Sequence, residues 1–227
     1  MKKQGKRTVI LENNPVILSN AAVVGPKEAE GPLGKGFDFK FEDSMMGEKS
    51  WEKAESRLQT TAVEIALSKA NMNANSIDVI FAGDLLNQCI ASSFGIRDLQ
   101  IPFIGLYGAC STMALSLINA GVHVESNAAQ RVIAVTSSHF CSAERQYRFP
   151  LEYGGVRPPT SQWTVTGSGA VLVTNEGEGP IIKGFTVGKI VDLGITDANN
   201  MGAAMAPDDV KIRPYQSGVG AWSLDSF

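Results

Sequence analysis

Cys110 is the side chain whose neighbours best equip it for chemistry. It stands in Ile101-Pro-Phe-Ile-Gly-Leu-Tyr-Gly-Ala-Cys110-Ser-Thr-Met-Ala114. The short apolar run reads as a buried strand, Gly108 allows the backbone to turn, and a long apolar helix begins at the cysteine. A thiol at a helix N-terminus meets the positive end of the macrodipole and several unpaired N–H groups. Such surroundings lower a cysteine's pKa below its free value of ~8.5 and favour the nucleophilic thiolate. The competing reading is a small buried residue, since free cysteine is among the most buried types. A strand-to-helix junction after a glycine favours the site reading.

Other groups that could do chemistry are sparse. No Gly-x-x-x-x-Gly-Lys phosphate loop occurs, and Gly167-Ser168-Gly169 is a lone Gly-x-Gly, too little for a dinucleotide. Two histidines and three dispersed cysteines do not make a metal site, and no cofactor is called for. His123 lies more than three turns from Cys110, about 20 Å along a helix, so it reads as a hydrogen-bonded structural residue rather than a base. Asp84 follows Gly83 at a strand end; it reads as a helix cap before a polar lining of a site.

The elements that must position Cys110 alternate between strand and helix. Val16–Val24 reads as a first strand and 25–36, rich in Gly and Pro, as a loop. Ser50 caps a helix to about Asn71, because Trp51, Ala54, Leu58, Ala62 and Ile65 repeat on one face. Asp78–Ala82 is a strand, Gln88–Leu99 a helix, Ile101–Leu106 a strand, and the Cys110 helix continues to about Asn127. Arg131–Thr136 is a strand, Ala143–Arg148 a helical turn, Pro150–Pro159 a loop, and Ala170–Thr174 and Ile181–Val191 are the last strands. Along the Cys110 helix only Thr112, Ser116, Asn119 and His123 form a polar stripe. The rest is apolar, so this helix needs protein on more sides than one sheet supplies, as in a layer between two sheets. The expected class is α/β, with a mixed sheet and a buried central helix.

Composition narrows the function classes. The chain has 227 residues, 44% of them hydrophobic and 19% charged, enough for a sizeable core. A net charge of −3 gives no reason to expect nucleic acid. Lys2, Lys3, Lys6 and Arg7 precede no apolar signal-peptide region, and no apolar run has spanning length. Three cysteines, an odd number, argue against a disulfide framework and for a reducing compartment. Cytosol is the default, and membrane association would come through partners.

The order strand, Cys-headed helix, strand, then Thr166-Gly-Ser-Gly-Ala170-Val-Leu-Val resembles the N-terminal half of the thiolase and ketoacyl-synthase fold. Six motifs in order resemble, more narrowly, the stage V sporulation protein AD family of thiolase-like proteins. They are Ala82-Gly-Asp-Leu-Leu-Asn87-Gln, Gly108-Ala-Cys-Ser-Thr112, Thr136-Ser-Ser-His139, Ala143-Glu-Arg-Gln-Tyr-Arg148, Pro150-x-Glu-Tyr-Gly-Gly155 and Gly194-Ile-Thr-Asp197. The similarity runs from about Gly5 to Pro207.

The resemblance implies a protein that binds dipicolinic acid, a flat aromatic dianion, and takes part in its uptake into the developing spore. It implies work beside other stage V sporulation membrane proteins, on the cytoplasmic side of the forespore or spore inner membrane, with a homodimer possible and no nucleic acid. The candidate ligand-binding residues are Cys110, Asn87, Thr136, Ser137, His139, Arg145 and Arg148, with Cys110, which the resemblance implies is retained in the family, either a nucleophile or a vestige of one. A dianion suits helix N-terminal N–H groups, hydroxyls and an arginine fork; a solvated surface or subunit contact is the other reading of the arginines. The thiolase fold has two similar halves, and the second supplies the His or Asn partners of the cysteine. Here residues 1–207 read as the first half and 208–227 as an unpatterned tail. The expectation is a truncated or frameshifted product, or a partner that supplies the missing half. Two functions therefore stand: a non-catalytic binding protein of sporulation, and a cysteine-dependent acyltransferase in which a thioester acylates Cys110. The missing partners favour the first, and an acyl adduct on Cys110 would favour the second.

Overall fold

The computed structural model describes residues 1–147 and 163–189, with Asp192, Gly194 and Thr196. Its centre is a six-stranded mixed sheet built from β3 (Val16–Val24), β4 (Phe39–Lys40), β5 (Val79–Gly83), β6 (Phe103–Gly105), β7 (Arg131–Ser138) and β8 (Gly167–Thr174). The spatial order is β4-β3-β8-β7-β5-β6. The pairs β7–β5 and β5–β6 are parallel, while β8 runs antiparallel to both of its neighbours, β7 and β3. A second sheet joins β1 (Lys2–Gln4), β2 (Thr8–Ile10) and β9 (Gly184–Thr186), all antiparallel.

Two helices cover the two faces of the main sheet, and strand alternation decides which side chain meets which helix. Ile80, Ala82, Ile133, Val135, Ala170 and Leu172 pack against Ala54, Leu58, Ala62 and Ala66 of α2 (Trp51–Lys69). The intervening Val79, Phe81, Val132, Ala134 and Val173 pack against Ala120 and Val124 of α4 (Thr112–Glu125). The expected start of α2 is borne out: the Ser50 hydroxyl accepts the Lys53 N–H at 3.3 Å. The remaining helices are α1 (Pro26–Ala29), α3 (Ile90–Arg97) and α5 (Phe140–Tyr147).

Several sequence expectations change. The apolar run at 101–106 is not a buried strand: β6 forms the sheet edge and all three of its residues are exposed. Among the described residues the six-stranded sheet covers one face of α4, and Leu11 and Ile182, which flank the small sheet, touch it near Gly121. Ala114, Leu115, Ile118 and Val122 are therefore half-buried rather than enclosed between two sheets. The expected helix at 88–99 is shorter, because Gln88 and Cys89 take left-handed backbone angles (φ 62° and 51°) and delay α3 to Ile90. The loop expected at 25–36 contains α1. Among the described residues of the strand expected at 181–191, regular pairing is confined to β9, with Ile181 making an isolated bridge to Val16. The loop expected at 150–159 and the tail 208–227 lie outside the described residues. Cys89, Cys110 and Cys141 form no disulfide.

Apolar side chains crowd the β6 edge. Ile90, Phe94 (56% exposed), Phe103, Ile104 and Tyr107 (51% exposed) all face solvent.

Candidate functional site

Cys110 is exposed and sits in a single 3-10 turn, Ala109–Ser111, immediately before α4. It therefore precedes the α-helix by one turn rather than opening it. The turn is tied by local hydroxyls: Ser111 Oγ donates to the Gly108 carbonyl at 2.6 Å, Thr112 Oγ1 to the Ala109 carbonyl at 2.8 Å, and the Gly108 N–H to Thr112 Oγ1 at 3.1 Å. Ala109 lies at φ 48°, in the left-handed region. A β-carbon there costs about 1–2 kcal/mol, and strain of this kind persists where neighbouring structure over-determines the turn.

The Asn87 loop is anchored in the interior. Asp84 is buried, and its Oδ1 accepts the Leu86 N–H at 2.8 Å. Its Oδ2 accepts both the Ser92 N–H at 2.8 Å and the Ser92 hydroxyl at 2.5 Å. Ser92 is the third residue of α3, so Asp84 supplies a helix-terminal acceptor from outside the helix, close to the cap expected of it. Asn87 itself is exposed. The Cys89 thiol donates to the Leu106 carbonyl at 3.3 Å, and burial, reinforced by the charge of Asp84, raises its pKa.

Alternation along β7 separates the hydroxyls expected to act together. Thr136 is half-buried on the α4 face, its Oγ1 3.6 Å from the Met113 sulfur, three residues beyond Cys110. Ser137 points to the α2 face, where its hydroxyl donates to Glu55 Oε1 at 2.9 Å and accepts from Gln59 Nε2 at 2.8 Å. Ser138 Oγ donates to the Val165 carbonyl at 2.5 Å. His139 is fully buried. Its Nδ1 accepts the Cys141 N–H at 3.2 Å, which leaves Nε2 to donate to the Ser44 carbonyl at 2.8 Å. Burial lowers its pKa against an opposing pull from the Ser44 bond and Glu28, so the ring is neutral. Trp51 and Phe140 flank it, with ring centroids at 5.3 and 5.1 Å. Arg145 falls within α5, and Arg148 lies outside the described residues.

Cys110, Asn87 and Thr136 thus share the half of the fold reached from the β5 and β7 strand ends and the start of α4. Ser137 and His139 turn away beneath them. His123 is structural, as expected: its Nδ1 lies 2.9 Å from the Asn119 carbonyl and its ring packs edge-on to Phe81 at 4.8 Å. Among the described residues no group of His, Cys, Asp and Glu could hold a metal ion.

Sequence reasoning missed the buried polar chain behind the site. Ser142 of α5 donates to Glu55 Oε2 at 2.6 Å, Glu55 meets Ser137, and Gln59 reaches Ser137 and Ser92 at 2.8 Å and the Gly83 carbonyl at 3.2 Å. One chain of contacts therefore joins α2, α3, α5 and the ends of β5 and β7. Burial pushes the Glu55 carboxyl up to about 7, helped by Asp84 and opposed by the two serine hydroxyls. The available signal was a Glu and a Gln four residues apart among the apolar residues of α2.

The family described as stage V sporulation protein AD matches residues 5–214. Stage V sporulation protein AD of Bacillus subtilis (strain 168) is 46% identical over 207 residues, 91% of this chain. The chain spans 61% of the length of that relative. Among solved structures, 3-oxoacyl-[acyl-carrier-protein] synthase III from Aquifex aeolicus VF5 is 16% identical, with 72% of this chain and 55% of that chain covered and a TM-score of 0.49. The priming beta-ketosynthase from the R1128 polyketide biosynthetic pathway is 14% identical, with 78% and 54% covered and a TM-score of 0.48. Likenesses this weak carry no statement about activity.

Proposed function

This chain belongs to the stage V sporulation protein AD family, and from that premise we propose that it binds dipicolinic acid and takes part in its uptake into the developing spore without catalysing a reaction. It works peripherally at the forespore or spore inner membrane, beside other membrane proteins of sporulation stage V; no helix of the described residues is long and apolar enough to cross a membrane. The observations that support the ligand reading best are the exposure of Cys110 and Asn87 and the reach of the Thr136 hydroxyl to Met113, just beyond the Cys110 turn. In this reading Cys110, Asn87 and Thr136 line the mouth, and Arg145 and Arg148 supply the cationic wall. Ser137 and His139 hold the β7 end from behind, through their bonds to Glu55 and Ser44.

A dianion gains one charge-assisted set of hydrogen bonds that a monoacid lacks, worth about 1.5–3 kcal/mol before desolvation. Calorimetry will therefore show dipicolinate binding at least tenfold more tightly than picolinate, roughly the lower end of that range. Arg145→Ala combined with Arg148→Ala will remove most of the difference. Equal affinities, or no effect of the double substitution, would refute this placement.

The same reading includes a homodimer, formed across the β6 edge. An edge strand offers unpaired N–H and C=O groups, and here Phe103, Ile104, Phe94 and Tyr107 surround it with exposed apolar surface. Light scattering at micromolar concentration will show self-association that Phe103→Lys with Ile104→Lys suppresses. A monodisperse monomer that binds no hydrophobic dye would contradict it.

A further inference from the structure

The end of the molecule built from the small sheet carries a charge unlike the rest of the chain. Residues 1–11 and 184–189 contain Lys2, Lys3, Lys6, Arg7 and Lys189 and no acidic residue, in a protein with 20 basic and 23 acidic side chains. Folding brings these two segments together. β1 turns through Gly5, at φ 66°, into β2, and β2 pairs with β9 so that Thr8 faces Thr186. The Val187 N–H donates to the Arg7 carbonyl at 3.1 Å, which sets the strand leading to Lys189 beside the β1–β2 turn. Lys2, Lys3, Lys6, Arg7 and Lys189 are all exposed. Glu12, which follows β2, lies 3.0 Å from the terminal amine of Met1.

Two aliphatic side chains stand in the open within this lobe: Val187 at 55% exposure and Met1 at 53%. A polyanion-binding surface that reads only phosphates has no use for them. Cations interleaved with exposed aliphatic groups suit the boundary of an anionic bilayer, where lysines meet headgroups and apolar side chains enter the outer acyl region. The lobe packs beside the C-terminal part of α4, since Leu11 and Ile182 lie against Gly121, more than two turns along the helix from the Cys110 turn. A flat contact there would leave the Cys110 mouth uncovered.

We infer that the β1–β2–β9 lobe is a docking surface for an anionic lipid bilayer, bound through Lys2, Lys3, Lys6 and Lys189 with Val187 at the contact. This refines the peripheral location proposed above and rests on it. Partner proteins alone were the sequence expectation for membrane association, and pure lipid vesicles separate the two routes.

The test is co-sedimentation of the full chain with phosphatidylglycerol vesicles and with phosphatidylcholine vesicles, in 0.1 M and 0.5 M salt. The expected result is binding to the anionic vesicles only, lost at the higher salt as the Debye length shrinks. Lys3→Glu, Lys6→Glu and Lys189→Glu together will weaken it by about 100-fold or more, on the order of one kcal/mol per charge removed. Reversal of three exposed lysines elsewhere, Lys35→Glu, Lys40→Glu and Lys49→Glu, will change it far less. Val187→Ser will weaken binding to vesicles and leave retention on heparin unchanged. No binding to anionic vesicles, or equal losses in both triple variants, would overturn the inference while leaving a partner-mediated location intact. Equal binding of a DNA duplex, with no effect of Val187→Ser on vesicles, would overturn the lipid assignment.

Discussion

Gly83→Ala will destabilise this protein by about 3 kcal/mol or more, the upper range for forcing extra atoms into a packed site, and will loosen the turn that carries Cys110. A β-carbon at Gly83 would lie 2.2 Å from the Leu106 carbonyl oxygen and 2.5 Å from Thr112 Cγ2. Neither neighbour can step aside at low cost. Leu106 N–H is bonded to the Ala82 carbonyl at 2.8 Å, and Thr112 Oγ1 ties the Cys110 turn. The strain therefore falls on the junction between β5, the chain after β6 and the start of α4. Gly169→Ala is the matched control, because a β-carbon there meets nothing within 4 Å, and it will change stability by less than about 0.5 kcal/mol. Denaturant midpoints of the two variants decide the matter, and a Gly83→Ala protein as stable as the parent would refute the packing argument.

The parent chain will lose stability between pH 4.5 and 7, and Glu55→Gln will abolish that fall. The folded carboxyl titrates at about 7 against an ordinary value of 4.5, chiefly because burial penalises its charge. In that window the folded state holds a proton that the unfolded state has released, so stability declines as pH rises. The contribution is complete below pH 4.5, lost by passage through pH 7, and amounts to roughly 3 kcal/mol. Glutamine keeps the shape, can accept from Ser137 and donate to Ser142, and carries no charge to bury. Neutral buried His139 works in the opposite direction, its stabilisation fading as pH falls through 6.5 and below. The informative quantity is therefore the difference between parent and variant. Melting curves that run parallel at every pH from 4.5 to 8 would contradict the assignment.

What could be read from the sequence followed the physics of local patterns. The Ser50 cap and the α2 period were visible because capping and amphipathicity act within one helix. The span Val16–Val24 was legible for a similar reason, as an apolar run bounded by turn residues. The run at 101–106 misled because hydrophobicity cannot separate a central strand from an exposed edge strand. β1 was invisible: Lys2, Lys3 and Gln4 have no apolar alternation, and β1 is ordered by pairing with β2, which in turn pairs with β9 far along the chain. The left-handed angles at Gln88 and Cys89 shortened α3 without a glycine to announce them. Cys110 was singled out by its place after a strand and a glycine, and Thr136 and Asn87 by motifs at the ends of strands; their exposure, and the 3-10 turn that carries Cys110, were not legible. The division of Ser137 and His139 to the other face follows from the two-residue period of β7, and this could have been read in advance.

Binding of dipicolinate at the Cys110 turn can be tested within one molecule, because its three cysteines differ in exposure and none is in a disulfide. Cys110 is exposed, Cys141 half-buried and Cys89 buried. The rate of Cys110 alkylation, followed by mass spectrometry of the modified peptides, will drop severalfold with saturating dipicolinate. The rate at Cys141 will not change, and picolinate at the same concentration will protect Cys110 much less. Alkylation of Cys110 at an unchanged rate in the presence of dipicolinate, or equal protection by picolinate, would contradict binding at this turn.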